Sequence, residues 1–170
     1  MLDSEQRFQF AVKVVLQHEG GLTNDKNDSG GITNFGISQR FLNDQNLDLN
    51  AANITQKQAI NIYRQYFWDK YHYNELEGLY VATKVFDMSV NIGPEEGAKI
   101  LQIACNDLST KPIAVDGKIG PNTIGKANTL SQDSLMAELR LIMKHYYVML
   151  VKNRPEDSEF LDGWLARAAW

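Results

Sequence analysis

Glu19 occupies the position in this chain that argues most directly for chemistry. From Ser4 to His18 the apolar residues Phe8, Val12, Val15 and Leu16 recur at helical spacing. With Phe8 at zero and about 100° per residue, Val12 falls near 40°, Val15 near 340° and Glu19 near 20°. A carboxyl group therefore projects from the middle of an apolar stripe. Gly20-Gly21 ends the helix, so Glu19 also lies in its last turn, at the negative end of the macrodipole. Both surroundings disfavour a charged carboxylate, and a carboxyl that keeps its proton is what a general acid needs. The alternative is a side chain that bends outward at a frayed helix end or pairs with an arginine.

Asp28 follows nine positions later, among Asn27, Ser29 and Gly30. A carboxylate surrounded by water and local donors stays ionised. Two carboxyl groups whose surroundings drive their protonation apart suit acid/base work on a glycosidic bond, although an isolated loop Asp usually forms turns. The Thr33 hydroxyl can hold a water or a sugar group, or can simply satisfy strand propensity. Tyr66 and Trp68 offer aromatic faces that match the C–H faces of pyranose rings, whereas Tyr63 and Phe67 read as core. Asp87 and Asn91 share one helical face and could hydrogen-bond acetamido groups from a cleft wall. Asn91 equally suits a helix end.

The elements that must position these residues are mostly helical. Ile32–Ile37 alternates as a small hairpin does, placing a β element near residues 31–38. Thr55-x-x-Gln58 is a capping-box pattern ahead of Ala59, Ile62, Tyr63 and Tyr66. A helix around Val81–Val90 stops at Asn91-Ile92-Gly93, and Pro94 suits the first position of the next. Asp133–Val151 is the longest periodic run, with Leu135, Leu139, Ile142, Met143, Tyr146 and Leu150 facing inward. Phe160–Trp170 closes as an amphipathic segment that packs on the core rather than on a membrane. The expected fold is a mostly α, lysozyme-like helical domain with that one hairpin.

Length and composition set the limits. The chain has 170 residues, which at about 150 per domain suggests one compact unit. Residues 1–75 would form the half bearing the catalytic motif, and 80–170 a second helical half. Apolar residues make up 44% and charged residues 22%, which argues against disorder. Lys and Arg number 17 against 21 Asp and Glu, so no cationic footprint for nucleic acid exists. A single cysteine excludes an internal disulfide. No stretch of about 18 apolar residues predicts membrane insertion. The start MLDSEQR lacks the cationic opening of a secretory signal, so synthesis in the cytosol, followed by release or export, is the expectation. Oligomeric state has no signature.

Several motifs fall short. His18-Glu19 begins the zinc pattern HExxH, but Leu22 stands where the second histidine belongs. Asp25-x-Asn27-x-Ser29-Gly30 imitates an EF-hand start, yet its twelfth position is Gly36. Cys105 reads as a buried thiol, and His72 and His145 lack metal-ligand spacing. No phosphate-binding glycine loop is present, and nothing calls for a cofactor.

The run HEGGLTNDKNDSGGITNFGIS (His18–Ser38) resembles the signature of glycoside hydrolase family 108, lysozyme-like N-acetylmuramidases with an EGG motif. Glu19-Gly20-Gly21, Asp28-x-Gly30-Gly31-x-Thr33 and Gly36-Ile37 carry the likeness. The Glu, Asp, Thr order is also similar to phage-type lysozymes, with Thr33 one position nearer Glu19 than in that pattern. Tyr66-Phe67-Trp68-Asp69 is similar to the family's aromatic stretch. Phe86-Asp87-x-x-Val90-Asn91-x-Gly93-Pro94, Ala98, Leu101-Gln102 and Val115-Asp116-Gly117-x-Ile119-Gly120-Pro121-x-Thr123 resemble its predicted peptidoglycan-binding part. Gly163-Trp164-x-x-Arg167 resembles its closing segment.

The resemblance implies hydrolysis of the β-1,4 bond between N-acetylmuramic acid and N-acetylglucosamine in peptidoglycan strands. Glu19 would protonate the leaving oxygen, and Asp28 would stabilise oxocarbenium-like charge or position the attacking water. Inversion would need a carboxyl separation of roughly 6.5–9.5 Å and retention ~5–5.5 Å. The competing expectations are a non-catalytic peptidoglycan-binding module and a chitinase- or chitosanase-type hydrolase. A phage endolysin and a bacterial muramidase that opens the wall for secretion fit the sequence equally.

Overall fold

Asp3 starts the first helix, accepting from the Gln6 backbone while the Gln6 side chain accepts from the Asp3 backbone, a complete capping box. The computed structural model describes residues 2–20 and 32–170. Helix α1 (Ser4–Glu19) buries Phe8, Ala11, Val12, Val14 and Val15, and ends at Gly20 with φ +70°. Strands β1 (Thr33–Asn34) and β2 (Ile37–Ser38) pair antiparallel, Thr33 with Ser38 and Asn34 with Ile37. Phe35 and Gly36 between them both take positive φ, 51° and 77°. That backbone makes a tight two-residue turn whose twist suits a hairpin.

Ser38 caps α2 (Gln39–Asp44), and Thr55 with Gln58 caps α3 (Gln56–Tyr63) through the expected box. Helix α3 runs on as a π turn over Arg64–Trp68. Then α4 (Leu79–Ile92) crosses the centre of the molecule against α1, α5 (Pro94–Asp107) and α7 (Gln132–Asn153). Every residue from Val81 to Ser89 is buried, so the middle of α4 has no solvent face. Helix α6 (Pro121–Thr129) packs on α5, and α8 (Leu161–Ala169) packs on α7. None of the described helices is long and apolar enough to cross a membrane.

The motif at 115–123 fastens this arrangement. Buried Gln102 donates to Asp116 Oδ1 (2.7 Å), the Lys118 carbonyl (3.0 Å) and Thr123 Oγ1 (3.1 Å), and accepts from the Gly117 backbone (2.9 Å). A single amide thus satisfies four partners and ties the segment between α5 and α6 to α5.

Two charges lie in the buried stretch of α4: Lys84 and Asp87, each 1% exposed. Lys84 Nζ donates to the carbonyls of Arg167 (2.9 Å) and Ala168 (3.0 Å), holding the end of α8. Burial lowers its pKa from 10.5 to about 8, with nearby Asp87 opposing the shift. Between those pH values the unfolded chain keeps a proton that the folded chain releases. This group's contribution to stability therefore rises with pH across the window, by about 3 kcal/mol in all. Denaturant melts from pH 8 to 10.5 are expected to show that slope in the parent chain and a flatter curve in Lys84→Met. Parallel curves would disprove the linkage.

Candidate active site

Glu19 is the last residue of α1, and its carboxylate is not among apolar neighbours as the stripe suggests. Its Oε1 accepts from Arg167 Nη2 on α8 at 2.7 Å. The arginine-paired alternative is the one the structure shows. Its Oε2 has no partner among the described residues.

Arg167 is bound mainly elsewhere. Its Nε donates to Asp87 Oδ2 (3.0 Å) and its Nη2 to Asp87 Oδ1 (2.8 Å), a two-point grip on a carboxylate. His18 Nδ1 meets Asp87 Oδ1 at 2.9 Å. Burial alone would push the Asp87 carboxyl up, but the His18 hydrogen bond and the Arg167 guanidinium outweigh it and hold it below its ordinary value. Asp87 therefore stays ionised and balances the guanidinium charge. What reaches Glu19 is chiefly a directional hydrogen bond, with much of the arginine's charge compensated at its other edge.

The other wall comes from the hairpin. A Cβ at Gly36 would lie 2.5 Å from Tyr63 Oη and 2.6 Å from both Cγ and Oε2 of Glu19. The turn rests directly on the carboxyl, and only glycine fits, by both φ and space. The Tyr63 hydroxyl donates to the Phe35 carbonyl at 2.8 Å and pins that turn. Burial, and then the negative charge of Glu19, raise the Tyr63 pKa well above its ordinary value, keeping the phenol a donor. Gly36→Ala is expected to cost about 1–3 kcal/mol through overpacking and backbone strain. Activity should fall further than the melt implies, because Glu19 must move. A folded Gly36→Ala variant with parental turnover would contradict this contact.

The remaining expected site residues divide. Asp28 lies outside the described residues. Thr33 stands on β1, half-buried. Asn91 Oδ1 accepts from the Tyr147 hydroxyl. Tyr66 packs edge-on against Phe41, centroids 5.9 Å apart. Trp68 is a correction: it is fully buried against Phe86 (5.5 Å), Phe8 (5.8 Å) and Tyr73 (6.1 Å), so its ring serves the core and offers no face to a sugar. Asp87 is a second correction, since its carboxylate is buried and engaged by Arg167 and His18 rather than presented on a cleft wall. Arg167 was not among the expected site residues. Its sequence signals were its place in the Gly163-Trp164-x-x-Arg167 motif and its isolation between Ala166 and Ala168.

A helical domain with a short hairpin resting on a carboxyl at the end of its first helix has the architecture of a lysozyme-like glycosidase. Residues 12–93 match the family described as Glycosyl hydrolase 108, and residues 96–169 match the Predicted Peptidoglycan domain. Residues 12–93 thus carry a glycosyl hydrolase 108 domain, and the chain is a glycoside hydrolase acting on peptidoglycan. Its fold is similar to that in the structure of Brucella abortus SagA, with TM-score 0.79 and 25% identity over 97% of this chain and 91% of that one. A search of the curated proteins finds no match. The Glu19 site joins the two matched segments, since Glu19 and Asp87 belong to the first and Arg167 to the second.

Proposed function

We propose that the protein is an N-acetylmuramidase in which Glu19 protonates the oxygen leaving from the β-1,4 bond between N-acetylmuramic acid and N-acetylglucosamine. The observation that carries this reading is the asymmetric handling of the Glu19 carboxyl. Arg167 orients it through Oε1, while Oε2, beneath the Gly36 turn, accepts from no other described residue. Orientation of this kind matters because proton transfer needs heavy atoms within about 2.6–3.2 Å. Asp28 enters the proposal from the motif as the second carboxylate, stabilising developing positive charge or directing water. Thr33, on the hairpin beside Gly36, is proposed to hold that water or a sugar hydroxyl.

Product analysis tests the bond. Digestion of purified peptidoglycan should release fragments with N-acetylmuramic acid at their reducing ends. Fragments ending in N-acetylglucosamine would reject the muramidase assignment. Faster cleavage of chitooligosaccharides than of glycan strands would instead favour chitin-type substrates.

A further inference from the structure

The motif Gly163-Trp164-x-x-Arg167 contributes only its arginine to the site described above. Gly163 and Trp164 border a concavity of about 450 Å³ that Phe160, Asn91 and Arg167 also line. That size lies in the ~300–1,000 Å³ range usual for small-ligand sites. We propose that this concavity is a saccharide subsite holding one N-acetylated pyranose of the glycan strand. Phe160, backed by Trp164, forms its platform, and Asn91 Nδ2 donates to the acetamido carbonyl. The proposal rests on the reading of Glu19 as the reacting carboxyl, because Arg167 lines the concavity and holds Glu19 at 2.7 Å.

Gly163 gives the first argument. It lies in the first turn of α8, its φ is not in the left-handed region, and a Cβ there would meet nothing within 4 Å. Neither backbone geometry nor internal packing asks for glycine, which costs a helix up to about 1 kcal/mol against alanine. A bare backbone bordering a concavity leaves room for a group from outside the chain.

The aromatic residues give the second. Trp164 stacks on buried Tyr147 at 5.3 Å and 21°, and Phe160 leans on Trp164 at 5.7 Å and 32°. The three rings form a ladder from the core to solvent, ending in Phe160 at 47% exposure. Its inner rungs are fixed by packing, which suits a rigid platform for the apolar face of a sugar.

The polar groups select the ligand. The Tyr147 hydroxyl that supports the ladder also occupies Asn91 Oδ1, and the Asn91 Nδ2 group has no partner among the described residues. His18 and Arg167 border the space, but both are engaged by Asp87. The Arg167 Nε and Nη2 groups are thus already spent on Asp87 and Glu19. An uncharged acetamido sugar matches an amide donor that no other described residue takes up, beside the open face of Phe160.

The test uses the full chain and soluble glycan strands. Phe160→Ala and Gly163→Leu, the latter filling the concavity while favouring the helix, are each expected to raise KM about tenfold. Their kcat should stay within about twofold, the signature of lost uniform binding. Phe160→Tyr should retain the parental KM. Calorimetric titration of Glu19→Gln with an N-acetylglucosamine tetrasaccharide should show binding that Phe160→Ala weakens about tenfold in the same background. Unchanged KM in both Phe160→Ala and Gly163→Leu overturns the subsite, even where Glu19→Gln is inactive. An active Glu19→Gln would remove the reading of Glu19 but leave a KM effect of these two variants standing, so the two failures are distinguishable.

Discussion

Glu19→Gln is expected to reduce the rate of glycan-strand cleavage by about 10²–10⁴-fold, the usual effect of removing a general acid. The glutamine is nearly the same size, so it fits beneath Gly36, where the parental side chain is closely covered. Its amide oxygen can still accept from Arg167 Nη2, preserving the orienting hydrogen bond. What it lacks is a carboxyl that can give up and regain a proton. Stability should accordingly change by only about 1 kcal/mol, the scale of one altered hydrogen bond. The pair of measurements is reducing-end release and a thermal melt on the same preparation. A rate within a few-fold of the parent, in a folded variant, would remove Glu19 from the chemistry.

That variant isolates the proton because so much of the scaffold is set locally, which is also why the scaffold was legible in sequence. The α1 stripe, the Thr55–Gln58 cap, the Phe35-Gly36 turn and the Gly93-Pro94 break are all written within a few residues, and each appears in the structure. Two places differ from the sequence reading. Trp68, read from its aromatic type as a sugar platform, closes the π turn over Arg64–Trp68 and lies in the core. In α7 it is Tyr147, not only Tyr146, that faces inward, because α8 covers that side with Trp164. The electrostatics of the site were not legible at all. Glu19 and Arg167 are 148 positions apart, and an ion pair across that distance leaves no periodic trace. Helical spacing thus placed Glu19 at the end of α1, where a guanidinium and a glycine turn rather than an apolar stripe surround its oxygens.

Arg167 carries the second large effect. Arg167→Met would leave Asp87, 1% exposed, with His18 as its remaining side-chain partner. Stranding a buried charge in this way typically costs about 3–5 kcal/mol, so this variant reports on stability more than on function. Arg167→Lys separates the two. It keeps a positive charge beside Asp87, but an ammonium cannot reproduce the guanidinium's two-point grip on Asp87 and reach Glu19 in the same plane. The fold should survive while Glu19 loses its fixed orientation, and misplacement of a catalytic group by about 1 Å can cost about 10²-fold in rate. A fall in kcat of about 10–100-fold with little change in KM is therefore expected from Arg167→Lys. The double variant Asp87→Asn/Arg167→Met removes both charges together and should recover much of the stability lost in Arg167→Met without recovering turnover. If Arg167→Lys kept full kcat, the contact with Glu19 would be structural only. If the double variant regained activity along with stability, the arginine would serve to neutralise Asp87 and nothing more. Slow turnover in both folded variants would instead mean that the second matched segment supplies part of the active site, through Arg167, which touches both Glu19 and Asp87.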